Sequence, residues 1–453
     1  MNNFTEGNIS KQIIAFAVPM LIGSLFQQMY SLVDAVVVGR FIGGGALAAV
    51  GVSMNAVFFL SAIIIGMTTG ASIVISQFFG ANQLDKLARA VSTSILFLGG
   101  LALFITVWGV VLTPALLRLL DVPYDIFDEA QIYLQIMIAG TVFPTFYNMY
   151  TAYLRALGDS KSPLYILIFA NVLSAILSLL FVITFEWGVA GAAIATIAAQ
   201  AVSAVLCCLY ASKYAPLLWV KKFTYDKELL KSILKFGTPA AVQFGLVMLG
   251  ALVIMRLINS FGSVAAAGIV AANKIDHLAT MPVLTLSMAL STFVAQNMGA
   301  DIEERAIQGF RITMRYMMVL SIIGSAILLA TAPWVISLFL DPEYADTAEI
   351  LVVSQNYLSI LVFFYFLLAI LFGFVGFFRG AGDAMIAMIF PVVSLTIRTV
   401  AAYTLVHAGG MGPEALAWSI PIGWSVTCVA GFVYYKKRLW VGKSITKKKV
   451  VSD

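Results

Sequence analysis

Long apolar runs separated by short polar stretches dominate the chain. Runs long enough to cross a bilayer as helices occur near 13–38, 49–75, 92–117, 132–154, 163–185 and 190–212. After a polar stretch they recur near 236–258, 266–295, 313–340, 351–377, 386–408 and 414–435. The pattern predicts an all-α polytopic membrane protein of twelve transmembrane helices. A first lobe (1–212) and a second (236–440) are expected on either side of a linker, 213–235, with a basic tail at 441–453. Gly, Pro, Ser and Thr inside the runs suit helices packed on one another in lipid.

The two halves echo each other. Pro19 in FAVP returns as Pro239 in FGTP, 220 residues later. SQFFGA (76–81) returns as AQNMGA (295–300), YLRALGD (153–159) as FFRGAGD (377–383), and Gly188 as Gly412. Six spans per copy is an even number, so both copies enter the membrane from the same side. They are then related by an axis along the membrane normal, a parallel repeat with a solute site expected between the halves.

Composition excludes a water-soluble protein: 61% of residues are hydrophobic and 11% charged, against about 25% charged in ordinary soluble domains. The net charge of +5 does not point to nucleic acid, because the basic residues sit in loops and at the C-terminus. With the N-terminus inside, the 27 Lys and Arg fall on the inner side except for five. Arg40, Arg118 and Arg256 lie at outer ends, and Lys274 and Arg398 lie within spans. The positive-inside rule therefore places both termini in the cytoplasm and the acidic stretches Asp121–Glu129 and Asp341–Glu349 outside. The opening residues MNNFTEGNISK lack the pattern of a secretory signal peptide. Cys207, Cys208 and Cys428 lie inside apolar spans and read as packing thiols, with no metal site and no cofactor expected. The partners expected are membrane lipid and a small amphipathic molecule, with the chain as a monomer in the inner (plasma) membrane.

One carboxylate stands out. Asp34 lies near the far end of the first span, and Ser24, Gln27, Ser31 and Asp34 recur at steps of three, four and three, on one helical face. An acid in hydrocarbon costs roughly 2.5–3.5 kcal/mol even on the lenient insertion scale, so it faces a bundle interior or a wet cavity. It reads as an ion-coupling residue; the plainer readings are an interfacial acid at a helix end or a partner for a basic group. Burial favours the neutral form of a carboxyl, and a lone acid suits a proton better than Na⁺, which needs several oxygen ligands. Tyr30, Gln27, Asn171, Ser174 and Ser178 could supply neutral oxygens, so sodium stays open.

The run TEGNISKQIIAFAVP, then QQMYSLVDAVVVGRFIGGGALAAVG, GASIVISQFFGA and YLRALGDSKSPLY, resembles the multidrug and toxin extrusion (MATE) family of cation-coupled antiporters. INSFG, STFVAQNMGA and FFRGAGD continue the resemblance in the second half. The bacterial branch with DNA-damage-inducible relatives is the part of the family it resembles. The resemblance implies a V-shaped molecule of two six-helix lobes that exports amphipathic, often cationic compounds in exchange for H⁺ or Na⁺. It also implies that Asp34, the Asp of the family's V-D-x-x-x-V-G pattern, is the coupling acid. Two departures are visible. Ser174 and Ser178 stand where relatives often carry Asn and Asp, and Val247 stands where some carry an acid.

Other polar residues admit two readings. Arg155 with Asp159, and Arg379 with Asp383, read as ion pairs and glycine-assisted turns, or as parts of coupling. Gln77 and Gln296, each three residues before a glycine, read as packing residues at turns. Gln243, Arg256, Lys274, Asp276 and Arg398 read as lining of a cavity in the second lobe or as structural pairs. Aromatics such as Phe58, Phe59, Phe143 and Tyr150 could hold a cation by ring-face attraction, or face lipid. A lipid-linked sugar flippase would favour several cationic side chains in a central cavity. An intramembrane enzyme has only His277 and His407 and no H-E-x-x-H or G-x-S-x-G signature to work with.

Overall fold

Inside a bilayer no water satisfies backbone N–H and C=O groups, so spanning segments close their hydrogen bonds within helices or barrels. The computed structural model describes residues 3–220, 222–337 and 346–446, and among these every regular element is helical. The first set of helices is α1 (Ile9–Phe41), α2 (Gly44–Gly80), α3 (Leu84–Leu119), α4 (Tyr124–Ala139), α5 (Val142–Ala156), α6 (Lys161–Leu179) and α7 (Gly188–Tyr214). The second set is α8 (Lys227–Asn259), α9 (Ser263–Gly299), α10 (Glu303–Ser337), α11 (Thr347–Phe363), α12 (Tyr365–Ala381), α13 (Ala384–His407) and α14 (Glu414–Lys436).

Ten of the described helices are long and apolar enough to cross a membrane alone. The pair α11 and α12, bent by 53°, forms an eleventh span. The pair α4 and α5 holds the matching place in the first half, an arrangement that fits the expected twelve. The runs 132–154 and 351–377 are thus broken helices, and the breaks at Gly140 and Phe364 lie 224 residues apart. A Cβ at Gly140 would meet Ile197 Cδ1 at 2.4 Å, so glycine lets the first break pack on α7. No Gly or Pro stands at the second break.

Several loops are shorter than expected. Asp125, Asp128 and Glu129 lie on the opening turns of α4, where acids complement the positive end of a helix. The corresponding acids at 341–345 lie outside the described residues, while Glu349 sits in the first turn of α11. The expected linker is partly helical, since α8 begins at Lys227. Its remainder is stapled to α3: Ser92 Oγ donates to Thr224 O (2.8 Å) and Arg89 pairs with Asp226 (3.5 Å). At the C-terminus Trp440, 1% exposed, stacks edge-on against Phe377 at 4.7 Å. Arg438 pairs with Glu303, whereas Lys447, Lys448 and Lys449 lie outside the described residues.

The chain divides into two compact units, one of Ile14–Phe244 with Phe4, the other of Thr5–Ile13 with Gly245 onward. The division falls within α8 rather than in the polar linker, because the first half of α8 packs on α2. A Cβ at Gly66 would come within 2.3 Å of Ala241 N, and one at Gly70 within 2.3 Å of Gly237 N. Small residues four apart on both helices permit this backbone approach.

Each unit repeats the same fastening where its RxxGD turn meets its last helix. Tyr210 Oη donates to Asp159 (3.1 Å), and Tyr434 Oη donates to Asp383 (2.6 Å). Gly158 and Gly382 close the preceding helices with φ of 82° and 95°, a left-handed geometry that costs a side-chain-bearing residue about 1 kcal/mol. Gly158→Ala and Gly382→Ala are each expected to lower the melting temperature by a few degrees, read by fluorescence-detected size-exclusion after heating. An unchanged melting curve for both would remove the turn from the fold's requirements.

Candidate functional site

Asp34 is 7% exposed and lies on α1 seven residues before the helix ends at Phe41. The helix runs three residues past the expected end, so Asp34 is not at its terminus. No Lys or Arg forms an ion pair with it among the described residues. Its contact is a hydroxyl: Ser178 Oγ of α6 donates to Asp34 Oδ1 at 3.5 Å, the long limit for a hydrogen bond.

One turn back on α1, Tyr30 Oη shares a hydrogen bond with Ser174 Oγ (2.7 Å) and another with Thr196 Oγ1 of α7 (3.2 Å). Ser174 and Ser178 are four apart and share a face of α6, so the site is a ladder of two rungs between α1 and α6. Tyr133 of α4 is fully buried, lies near enough to feel the charge of Asp34, and has no hydrogen-bond partner for its hydroxyl among the described residues. It packs with Val37, Val38 and Val182, which places an apolar wall beside the carboxyl. The Nδ2 of Asn171, on the same face of α6, is buried and also unpartnered. Buried polar atoms without partners are uncommon and concentrate where a ligand or moving group completes them.

Gln27 and Ser31 do not join this cluster. Both are exposed, because the buried edge of α1 runs through Tyr30, Asp34, Val37 and Val38 rather than through the three-four-three polar face. Thr196 and Tyr133 enter the site unpredicted. Tyr133 carried a readable signal, since QxYL at 131–134 returns as QxYL at 355–358, 224 residues later. Thr196 stands alone in GAAIATIAA and had none.

The residues expected to line a cavity in the second lobe are scattered. Gln243 is buried within the first unit, and Arg256 and Lys274 are exposed. Lys274 and Asp276 do not pair: Asp276 instead accepts from Tyr365 Oη (2.7 Å), with Arg398 as a further charge acting on it. Tyr357, the repeat partner of Tyr133, donates to Asn273 Oδ1 (3.3 Å), and Arg398 Nε is buried without a hydrogen-bond partner among the described residues. Gln77 and Gln296 are fully buried at the ends of α2 and α9. Arg155 forms no ion pair with Asp159 among the described residues. Phe58, Phe59 and Phe143 are 53%, 44% and 41% exposed, whereas Tyr150 is only 4% exposed.

A family model described as MatE matches residues 19–180 and 239–404. The chain belongs to the MatE family. The two matched stretches open at Pro19 and Pro239, so this MatE chain carries the family unit twice at the spacing of its internal repeat. It is 28% identical to the probable multidrug resistance protein YpnP of Bacillus subtilis over 99% of both chains. A second relative from that organism, the probable multidrug resistance protein YoeA, is 27% identical over 98% of this chain and 96% of the relative. Among solved structures, an outward-facing conformation of a multidrug resistance MATE family transporter of the MOP superfamily shares the fold. Its TM-score is 0.89 at 23% identity, covering 96% of this chain and 97% of that one.

Proposed function

We propose that this protein is a secondary active antiporter that exports amphipathic, cationic drugs or toxins while protons enter. It would sit in the inner (plasma) membrane with both termini cytoplasmic. The observation that carries the proton reading is the enclosure of Asp34 among apolar groups and neutral hydroxyls, with no cationic partner among the described residues. Such a carboxyl is uncharged with a proton aboard and a costly uncompensated charge without one. Proton occupancy therefore biases the packing of α1 against α4 and α6. Substrate and proton need only prefer different arrangements of these helices for the two flows to be coupled, since a ligand shifts an equilibrium by its differential affinity.

The drug class rests on the relatives, which are described as probable multidrug resistance proteins. Sodium is the weaker alternative. Hard cations take about six oxygen ligands, whereas the hydroxyl bonded to Asp34 stands at 3.5 Å and Ser174 is committed to Tyr30. Everted vesicles carrying the protein are expected to move ethidium when a pH gradient alone is imposed. A sodium gradient alone should give background flux. Sodium-driven efflux at a collapsed pH gradient would overturn the proton assignment.

A further inference from the structure

Arg155 ends α5 and has Asp159 four residues away, the spacing of a helical ion pair. That acid is committed elsewhere. It accepts from Lys161 N (3.1 Å), Ser162 N (3.1 Å), Ser162 Oγ (2.7 Å) and Tyr210 Oη (3.1 Å). The titratable groups acting on Arg155 are Tyr147 and Cys207, a phenol and a thiol that are ordinarily uncharged at neutral pH. Arg155 is thus a half-buried cation that no carboxylate pairs with among the described residues.

It lines a cavity of about 100 Å³ within the first unit, bounded by α1, α5 and α6. Ser160 and Pro163 at the start of α6 form another wall, where the opening N–H groups of that helix are already taken by Asp159. Further donors converge. Asn148 gives one N–H to Pro144 O (2.8 Å) and keeps the other, and the Gln27 amide and Ser160 hydroxyl also line the space. Ser24 and Thr151 spend their protons on Met20 O and Tyr147 O, so they offer lone pairs to water rather than donors to an anion.

We infer that this cavity binds a small inorganic anion of about the size of chloride against Arg155, separately from the Asp34 cluster. Arg155 is half-buried and lines the cavity without an ion-pair partner among the described residues, and a bound anion would supply the counter-charge from solvent. The test is the melting temperature of protein purified in a neutral detergent, with chloride exchanged for gluconate at constant ionic strength. Chloride should raise the melting temperature of the wild type by about 2 °C or more, Arg155→Gln should abolish the rise, and Arg155→Lys should keep part of it. No chloride dependence in the wild type, or an equal dependence in Arg155→Gln, would overturn the site. Bromide-soaked wild-type crystals give an answer even where the variants fold poorly. An anomalous peak beside Arg155 supports the site, and peaks confined to the protein surface overturn it.

Discussion

Asp34→Asn is expected to insert and fold as the wild type does, yet to reduce proton-driven efflux to the level of vesicles without the protein. Asparagine has nearly the shape of aspartate and still offers Ser178 an amide oxygen at the place of Oδ1. Stability should therefore stay within about 1 kcal/mol. What the substitution removes is the one carboxyl of the site among the described residues, and with it the energy difference between loaded and unloaded states on which the proposed coupling depends. Ethidium efflux in everted vesicles or growth of drug-sensitive cells reads the loss, and size-exclusion of the solubilised protein reads folding. Full efflux by a folded Asp34→Asn protein would sink the proposed role.

Gly70→Val is expected to fail at the other end of the chain of causes, in folding. Its Cβ would lie 2.3 Å from Gly237 N and 2.6 Å from Ile233 O. These are backbone atoms, so no rotamer change relieves the clash and α2 must part from α8. Overpacking of this kind costs about 1–3 kcal/mol where side chains can yield, and more is expected here. The result should be a large drop in melting temperature or loss of folded protein. Gly245→Ala is the control, because a Cβ there meets nothing within 4 Å and surface changes stay within about 0.5 kcal/mol. Equal melting of Gly70→Val and the wild type would show that the close crossing is not required.

Span number, the repeat and the prominence of Asp34 were legible because hydrophobic length and a lone acid are local properties of a sequence. The broken helices were less so: the apolar run 132–154 looks continuous, although Pro144 has no N–H to give the carbonyl of Gly140, and Gly140 packs closely on Ile197 at the break. The division of α8 between units was hidden because it depends on which glycines meet across helices. Spacing put Gln27 and Ser31 on one face with Asp34, but the direction that face turns is set by the neighbours, and they turn Tyr30 inward instead. Tyr133 and Thr196 come from other helices and could be joined to Asp34 only in three dimensions.

The membership of Thr5–Ile13 in the second unit bears on the order in which the protein is made. This segment is held by Arg305, whose Nη2 donates to Glu6 O (2.7 Å) and to Gln12 Oε1 (3.0 Å), and by a hydrogen bond between the hydroxyls of Ser10 and Tyr316. Glu6, Ser10 and Gln12 therefore reach these partners only after some three hundred further residues have been synthesised. A change in this segment is then a disturbance of the second unit, although the helix that bears Asp34 starts there.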